Sequence, residues 1–224
     1  MTTFTHSEAP SNTAFPIARA GYPFIGALAF STAVFALLGL TVAALTALVC
    51  TFFVCFFFRD PDRVIPKLSG AVVSPADGRI VWAAKVDESP FSREPCLKIS
   101  IFMSVFNVHV NRSPHEGTIQ QISYHPGKFI SANLNKASRH NERNAILLET
   151  DSGIKLCVVQ IAGLIARRII CWLQEGERID RGQRLGLICF GSRLDVYLPA
   201  ETRLKIKLGD RVCAGTSILA ELTG

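Results

Sequence analysis

The sequence predicts a mainly β domain behind an N-terminal hydrophobic helical hairpin, and three observations predict it. The 35 residues from Phe24 to Phe58 contain no charged side chain. From residue 67 onward, short β-branched or alternating runs recur between turns of Gly, Pro, Asn and Asp. Near the C-terminus, two stretches repeat one glycine spacing at an offset of 33 residues, from Gly176 to Gly209.

Residues 1–20 are polar and mixed, the composition of a mobile tail. The uncharged run that follows would reach about 52 Å as one straight helix, far beyond a hydrocarbon core of about 30 Å. A single span is badly mismatched, whereas a break near Gly39 yields two short helices. Arg19 and Arg59 bound the run and no basic residue lies between them, as expected of a hairpin with both ends on the cytoplasmic side. A cleaved signal peptide is disfavoured because its apolar core is far shorter. Residues 59–66, RDPDRVIP, carry two prolines and alternating charge and read as an extended linker. The predicted domains are therefore 1–66 (tail, hairpin at about 24–58, and linker) and 67–224.

Strand-like runs follow: AVVSPADGRIVWAAKV, CLKISIFM, VHVNR, GTIQQISYHPG, NAILLET, IKLCVVQIAGLI, RIICWL, RLGLICF, RLDVYLP and RLKIKL. Only 131–144, polar and Asn-rich, lacks that character, and it reads as a long functional loop. The echo near the C-terminus aligns Gly176, Ile179, Gly182 and Leu185 with Gly209, Val212, Gly215 and Ile218. Glycines at such corners supply the positive φ that sharp turns between packed hairpins need. The paired pattern resembles the barrel-sandwich architecture of biotinyl and lipoyl carrier domains, which present a modifiable lysine at the hairpin tip between the half-motifs. Here the middle of that stretch is Gly191, Ser192 and Arg193, and Lys205 and Lys207 lie too close to the second half-motif. A membrane-tethered lipoyl- or biotinyl-like binding module without enzymatic activity is the rival reading, and it lacks its lysine.

With 224 residues the chain holds one compact domain plus an appendage. Its net charge of +6 is scattered beyond residue 58, and beside an apolar anchor this favours an anionic membrane surface over nucleic acid. The seven cysteines show no C-x-x-C spacing, so neither a disulfide framework nor a metal site is expected, and a reducing compartment follows.

A serine is a poor nucleophile without a base, which directs attention to histidines and carboxylates. His109 is flanked by Val108 and Val110 in an alternating run, which puts its imidazole on the face opposite the valines. Asp77 lies in SPADGRIV, where Asp-Gly is ordinary turn chemistry. Spacing alone favours a structural or solvated role for each of these groups.

Their combination is more specific. FFFRDPDRVIP, VVSPADGRIV, FMSVFNVHVNRSPHEG, YHPGKF, NERN and FGSRLDVYLP, in this order behind an apolar run, resemble the phosphatidylserine decarboxylase family in its short bacterial and archaeal form. The resemblance implies a proenzyme that cuts itself between Gly191 and Ser192 into a β chain (1–191) and an α chain (192–224), which stay together as a heterodimer. Ser192 becomes a covalent pyruvoyl group, and Asp77 and His109 match the self-cleavage residues. His109 is expected to act as general base, with Asp77 fixing its tautomer. The ketone is expected to form a Schiff base with phosphatidylserine and release CO2, leaving phosphatidylethanolamine. The implied place is the cell (inner) membrane, catalytic domain on the cytoplasmic face, with anionic lipid as partner and a higher oligomer left open. One departure stands out: Phe106 occupies the position of a second histidine in longer members, a role left open among His115, His125 and different groups in the short form. Asn141 and Arg143 of NERN complete the substrate-binding candidates.

Overall fold

A computed structural model describes residues 17–127, 141–163, 168–189 and 191–222. Among these residues the chain divides into one unit ending at Asp62 and a second beginning at Arg63. The first holds two helices, α1 (Tyr22–Leu37) and α2 (Thr41–Phe57), packed on one another. Pro23 opens α1, where a missing N–H costs nothing. The chain reverses at Leu38–Leu40 with Gly39 at φ +71°, the break expected from helix length. At the open end the hairpin is closed by an Ala18 N–H bond to the Phe58 carbonyl (2.8 Å). Phe58 packs so closely on Gly21 that a Cβ there would stand 2.6 Å from its ring.

The second unit is mainly β. Its main sheet is an eight-stranded antiparallel half-barrel in the order β13-β2-β3-β11-β7-β6-β5-β9. The strands are β2 (Gly78–Val86), β3 (Cys96–Met103), β5 (Gly117–His125), β6 (Arg143–Glu149), β7 (Lys155–Ala162), β9 (Arg178–Ile179), β11 (Ser192–Pro199) and β13 (Arg211–Val212). Two three-stranded sheets accompany it: β1 (Ala71–Val73), β14 (Ile218–Glu221) and β12 (Arg203–Leu204), and β4 (Val110–Arg112), β10 (Arg184–Cys189) and β8 (Arg168–Cys171). Ile80, Ile101, Leu194, Val196, Ile146 and Val158 share one core with Val72, Leu185 and Leu219 of the small sheets. Each such side chain contributes about 1.5–3 kcal/mol on burial. The outer half of β2 alternates between half-buried and exposed residues, whereas central β11 is buried almost throughout.

The predicted glycine echo is a structural repeat. Gly176, Gly182, Gly209 and Gly215 all have positive φ, between +75° and +92°. Ile179 pairs with Gly117, and Val212 pairs with Gly78 at the opposite edge of the sheet. A further echo joins SPADGRI to SPHEGTI, from Gly78 to Gly117. Its hydrogen bonds come in matched pairs: Val73 N–H to Pro114 O and Arg112 N–H to Pro75 O (both 2.9 Å), and Gly215 N–H to Ser74 O (2.7 Å) with Gly182 N–H to Ser113 O (2.8 Å). Such reciprocity describes an approximate two-fold axis between the corners.

Two local expectations change. Val108, His109 and Val110 are all buried, at 4%, 0% and 1% exposure, because the segment is covered on both sides and its strand begins only at Val110. Arg143, within the stretch expected as loop, opens β6 one residue ahead of the predicted run from Asn144, since pairing with β5 and β7 overrides its polarity. The remainder of that loop through His140 lies outside the described residues.

Candidate active site

Gly191 takes φ +66°, a conformation that costs an L side chain about 1–2 kcal/mol. Ser192 then starts β11, fully buried between Met103 of β3 and Ala162 of β7. Where a carrier domain would present its hairpin tip, Ser192 is thus a buried strand start, because β11 lies in the middle of the main sheet. Ser192 Oγ donates to Met103 Sδ at 3.3 Å. The Gly191 N–H donates to His109 Nε2 at 3.3 Å, and His109 Nδ1 donates to the Asn107 carbonyl at 2.9 Å. A carbonyl can only accept, so the proton sits on Nδ1 and the Nε2 lone pair accepts the Gly191 N–H, the amide one bond upstream of the Gly191–Ser192 link. His109 is held here because its own carbonyl receives the Ile188 N–H (3.4 Å) of β10, the strand leading to the junction.

Asp77 does not fix the imidazole. Its carboxylate turns toward the β13–β14 corner, where Oδ1 accepts the Ala214 N–H (2.7 Å) and both oxygens accept from Arg63 Nη2 (3.2 and 2.9 Å). The Asn107 carbonyl, two residues away on the same segment, takes the tautomer-fixing role instead.

The other candidates separate by register. Asn141 is fully buried and donates to the Ala162 carbonyl at 2.7 Å, bracing the β7 residue that flanks Ser192. Arg143 and His125 face each other across β6 and β5, in the row that continues through Ile161 to Arg193, next to that of Ser192. At about 4.8 Å between strands, Arg143 lies about 10 Å and His125 about 14 Å from β11. His115 belongs to the repeat corner, its Nδ1 donating to the Glu116 carbonyl at 2.8 Å. Phe106 is 67% exposed.

Sequence reasoning missed a line of buried amides that ends at the serine. Asn144 donates to Gln160 (3.1 Å), Gln160 to Asn111 (3.0 Å), and Asn111 to the Met103 sulfur (3.7 Å) that Ser192 also touches. The available signal was Gln160 itself, a polar residue inside IKLCVVQIAGLI. Burial pushes the Cys189 thiol up against the opposing pull of Arg168, and pushes Cys157 up further. Burial thus holds both thiols toward the protonated form. Among the described residues no cluster of three His, Cys, Asp or Glu is arranged to hold a metal ion.

Comparison with known proteins agrees with this geometry. Residues 50–220 match the family model for phosphatidylserine decarboxylase. The phosphatidylserine decarboxylase proenzyme of Desulfotalea psychrophila is 49% identical over 92% of this chain and 97% of its own. Those of Geotalea uraniireducens (51%, covering 92% and 97%) and Nitrosomonas europaea (52%, covering 92% and 94%) are equally similar. With a buried Ser192 behind a glycine whose N–H meets a histidine lone pair, and with matches of this extent, the chain belongs to the phosphatidylserine decarboxylase family.

Proposed function

We infer that the chain cuts its own Gly191–Ser192 bond and then decarboxylates phosphatidylserine to phosphatidylethanolamine. The observation that carries this reading is the His109 Nε2 lone pair at 3.3 Å from the Gly191 nitrogen, beside a serine whose hydroxyl adjoins its own preceding carbonyl. Ser192 Oγ attacks the Gly191 carbonyl carbon, His109 takes the hydroxyl proton and returns it to the departing nitrogen, and an ester replaces the amide. Intramolecular placement of this kind is worth an effective molarity of about 10⁵ M or more. Elimination removes the Ser192 Cα proton and breaks its Cβ–O bond, releasing the Gly191 carboxylate and leaving dehydroalanine, whose imine tautomer adds water and loses ammonia to leave a ketone at residue 192.

The residues present fit a pyruvoyl group at this position. Strand pairing of β11 with β3 and β7 would hold it, and Met103 borders it, its sulfur also bonded by Asn111. When formed, the group supplies an electron sink for the pair left by departing CO2. Pairing of β11 with β3 and β7, and of β14 with β1, keeps chains 1–191 and 192–224 together as a heterodimer. Asn141 braces the site through Ala162, and Arg143 is placed to meet the anionic head group, with His125 beyond it and His115 more remote.

The catalytic domain is a barrel-sandwich hybrid, as the two-fold repeat supports. The domain division falls within the predicted linker 59–66, between the hairpin and the β domain, with residues 63–66 on the β side. The stretch Arg19–Leu37 is long and apolar enough to cross a membrane, and Thr41–Phe57 is apolar but shorter. At about 24 and 26 Å the two helices form a membrane hairpin just short of the hydrocarbon thickness. It anchors the enzyme to the inner membrane with the β domain on the cytoplasmic face, where basic residues favour anionic lipid. Mass spectrometry of the purified protein tests the reading. The 33-residue segment 192–224 is expected as a separate chain whose blocked N-terminus gains mass on reductive amination, with Ser192→Ala remaining uncut. A continuous, active wild-type chain refutes it.

A further inference from the structure

The stretch from Arg63 to Leu68 forms a strap across the two glycine corners of the repeat. A Cβ at Gly182 would run into the Ile65 side chain, and one at Gly215 would come within 2.9 Å of Ile65 Cδ1. Ile65 therefore sits over the pseudo-two-fold axis, between equivalent corners. On one flank Arg63 reaches Asp77. On the other, Arg181 grips Glu116 through Nε and Nη2 (both 2.7 Å) and donates Nη1 to the carbonyls of Pro66 and Leu68. Asp77 and Glu116 occupy equivalent repeat positions, yet only Asp77 is bonded across the junction to the segment beyond residue 192, at the Ala214 amide.

The turn that carries Asp77 also sets the strand of the base. The Pro75 carbonyl accepts the Arg112 N–H at 2.9 Å, and β4, which Arg112 ends, begins one residue after His109. Asp77 thus lies at a joint between strap, His109 strand and C-terminal segment, and Arg63 is the strap's hold on it. The Arg63 and Asp77 side chains are only 18% and 11% exposed, so little water is available to replace the guanidinium.

We propose that Arg63 is a positioning residue for self-processing: by holding Asp77 against the Ala214 corner, the seated strap fixes the turn that registers His109 against the Gly191–Ser192 bond. The proposal rests on the reading of that bond as the one that is cut. One nitrogen of Arg63 makes both contacts, so a lysine ammonium can substitute for it.

The test follows the release of fragment 192–224 over time after cell-free synthesis of the full chain, for wild type, Arg63→Ala, Arg63→Lys and Asp77→Asn. Melting of the same variants in the uncut Ser192→Ala background defines the temperatures at which each is folded. Arg63→Ala is expected to slow cutting about tenfold or more, a barrier increase of about 1.4 kcal/mol, at temperatures well below its melting transition. Arg63→Lys is expected to recover most of the rate, and Asp77→Asn to be at least as slow as Arg63→Ala. Wild-type cutting by Arg63→Ala beside a stalled Asp77→Asn overturns the role of the strap alone. Slowing confined to the melting transition, or Arg63→Lys as slow as Arg63→Ala, also overturns it. A wild-type chain that is never cut at residue 191 removes the underlying reading and the proposal together.

Discussion

Replacing Gly191 separates backbone strain from crowding at the scissile junction. A Cβ built there meets only Val105 Cγ1, at 4.0 Å, an ordinary contact. The cost of Gly191→Ala is therefore the left-handed φ of +66° alone, about 1–2 kcal/mol. For a chain of this size, at about 2–4 °C per kcal/mol, the melting temperature should fall by about 2–8 °C. Gly191→Asn should lose less, since asparagine tolerates that region. Gly186→Ala makes the contrast: its Cβ would collide with the Ile170 carbonyl and stand 3.0 Å from Gln160 Nε2, so its loss is steric and larger. Scanning calorimetry of the three variants in the uncut Ser192→Ala background measures the order. Equal melting of Gly191→Ala and its parent, or a greater loss than for Gly186→Ala, would refute the argument from φ.

Two further outcomes follow from buried charge. The Arg181 hydrogen bond holds the Glu116 carboxyl down at about 2, against an ordinary 4.5. A depressed folded value means that its stabilisation is present above pH 4.5 and is lost as pH falls toward 2. Urea midpoints of the uncut background should drop between pH 5 and 3, and Glu116→Gln should flatten that drop; an unchanged slope rules the pair out as its source. On the main sheet, Asp195 is fully buried between Lys98 (2.9 Å) and Arg193 (2.7 Å). Asp195→Asn leaves two cations side by side and should cost about 3–5 kcal/mol by urea denaturation, whereas Lys98→Met keeps the Arg193 pair and should cost less. The reverse order would contradict this charge count.

Legibility varied with the range of the interaction. The helix break at Gly39 was readable because bilayer thickness and helical rise are fixed lengths, and the glycine echo because positive φ is a local demand that only a few residues meet. The β6 start at Arg143 and the all-round burial of His109 were not, since both depend on neighbours brought in from distant segments. By analogy with other nucleophile-base-acid triads, the motif resemblance makes Asp77 the partner of His109. The structure turns it instead toward Arg63 and Ala214, a direction no local pattern encodes.

By itself the chain's order of residues determined an apolar hairpin and a glycine-punctuated β domain, because each follows from hydrophobicity or turn chemistry, whereas the Gly191–Ser192 junction is marked only by the resemblance of the co-ordered motifs to a known family. Tertiary structure alone decided that this serine is buried beside a sulfur and a line of amides, that His109 directs its lone pair at the Gly191 N–H, and that residues 63–68 cross the two-fold axis. Those outcomes are set by pairing between strands remote in sequence, where the position of each side chain depends on a sheet order that no single segment carries.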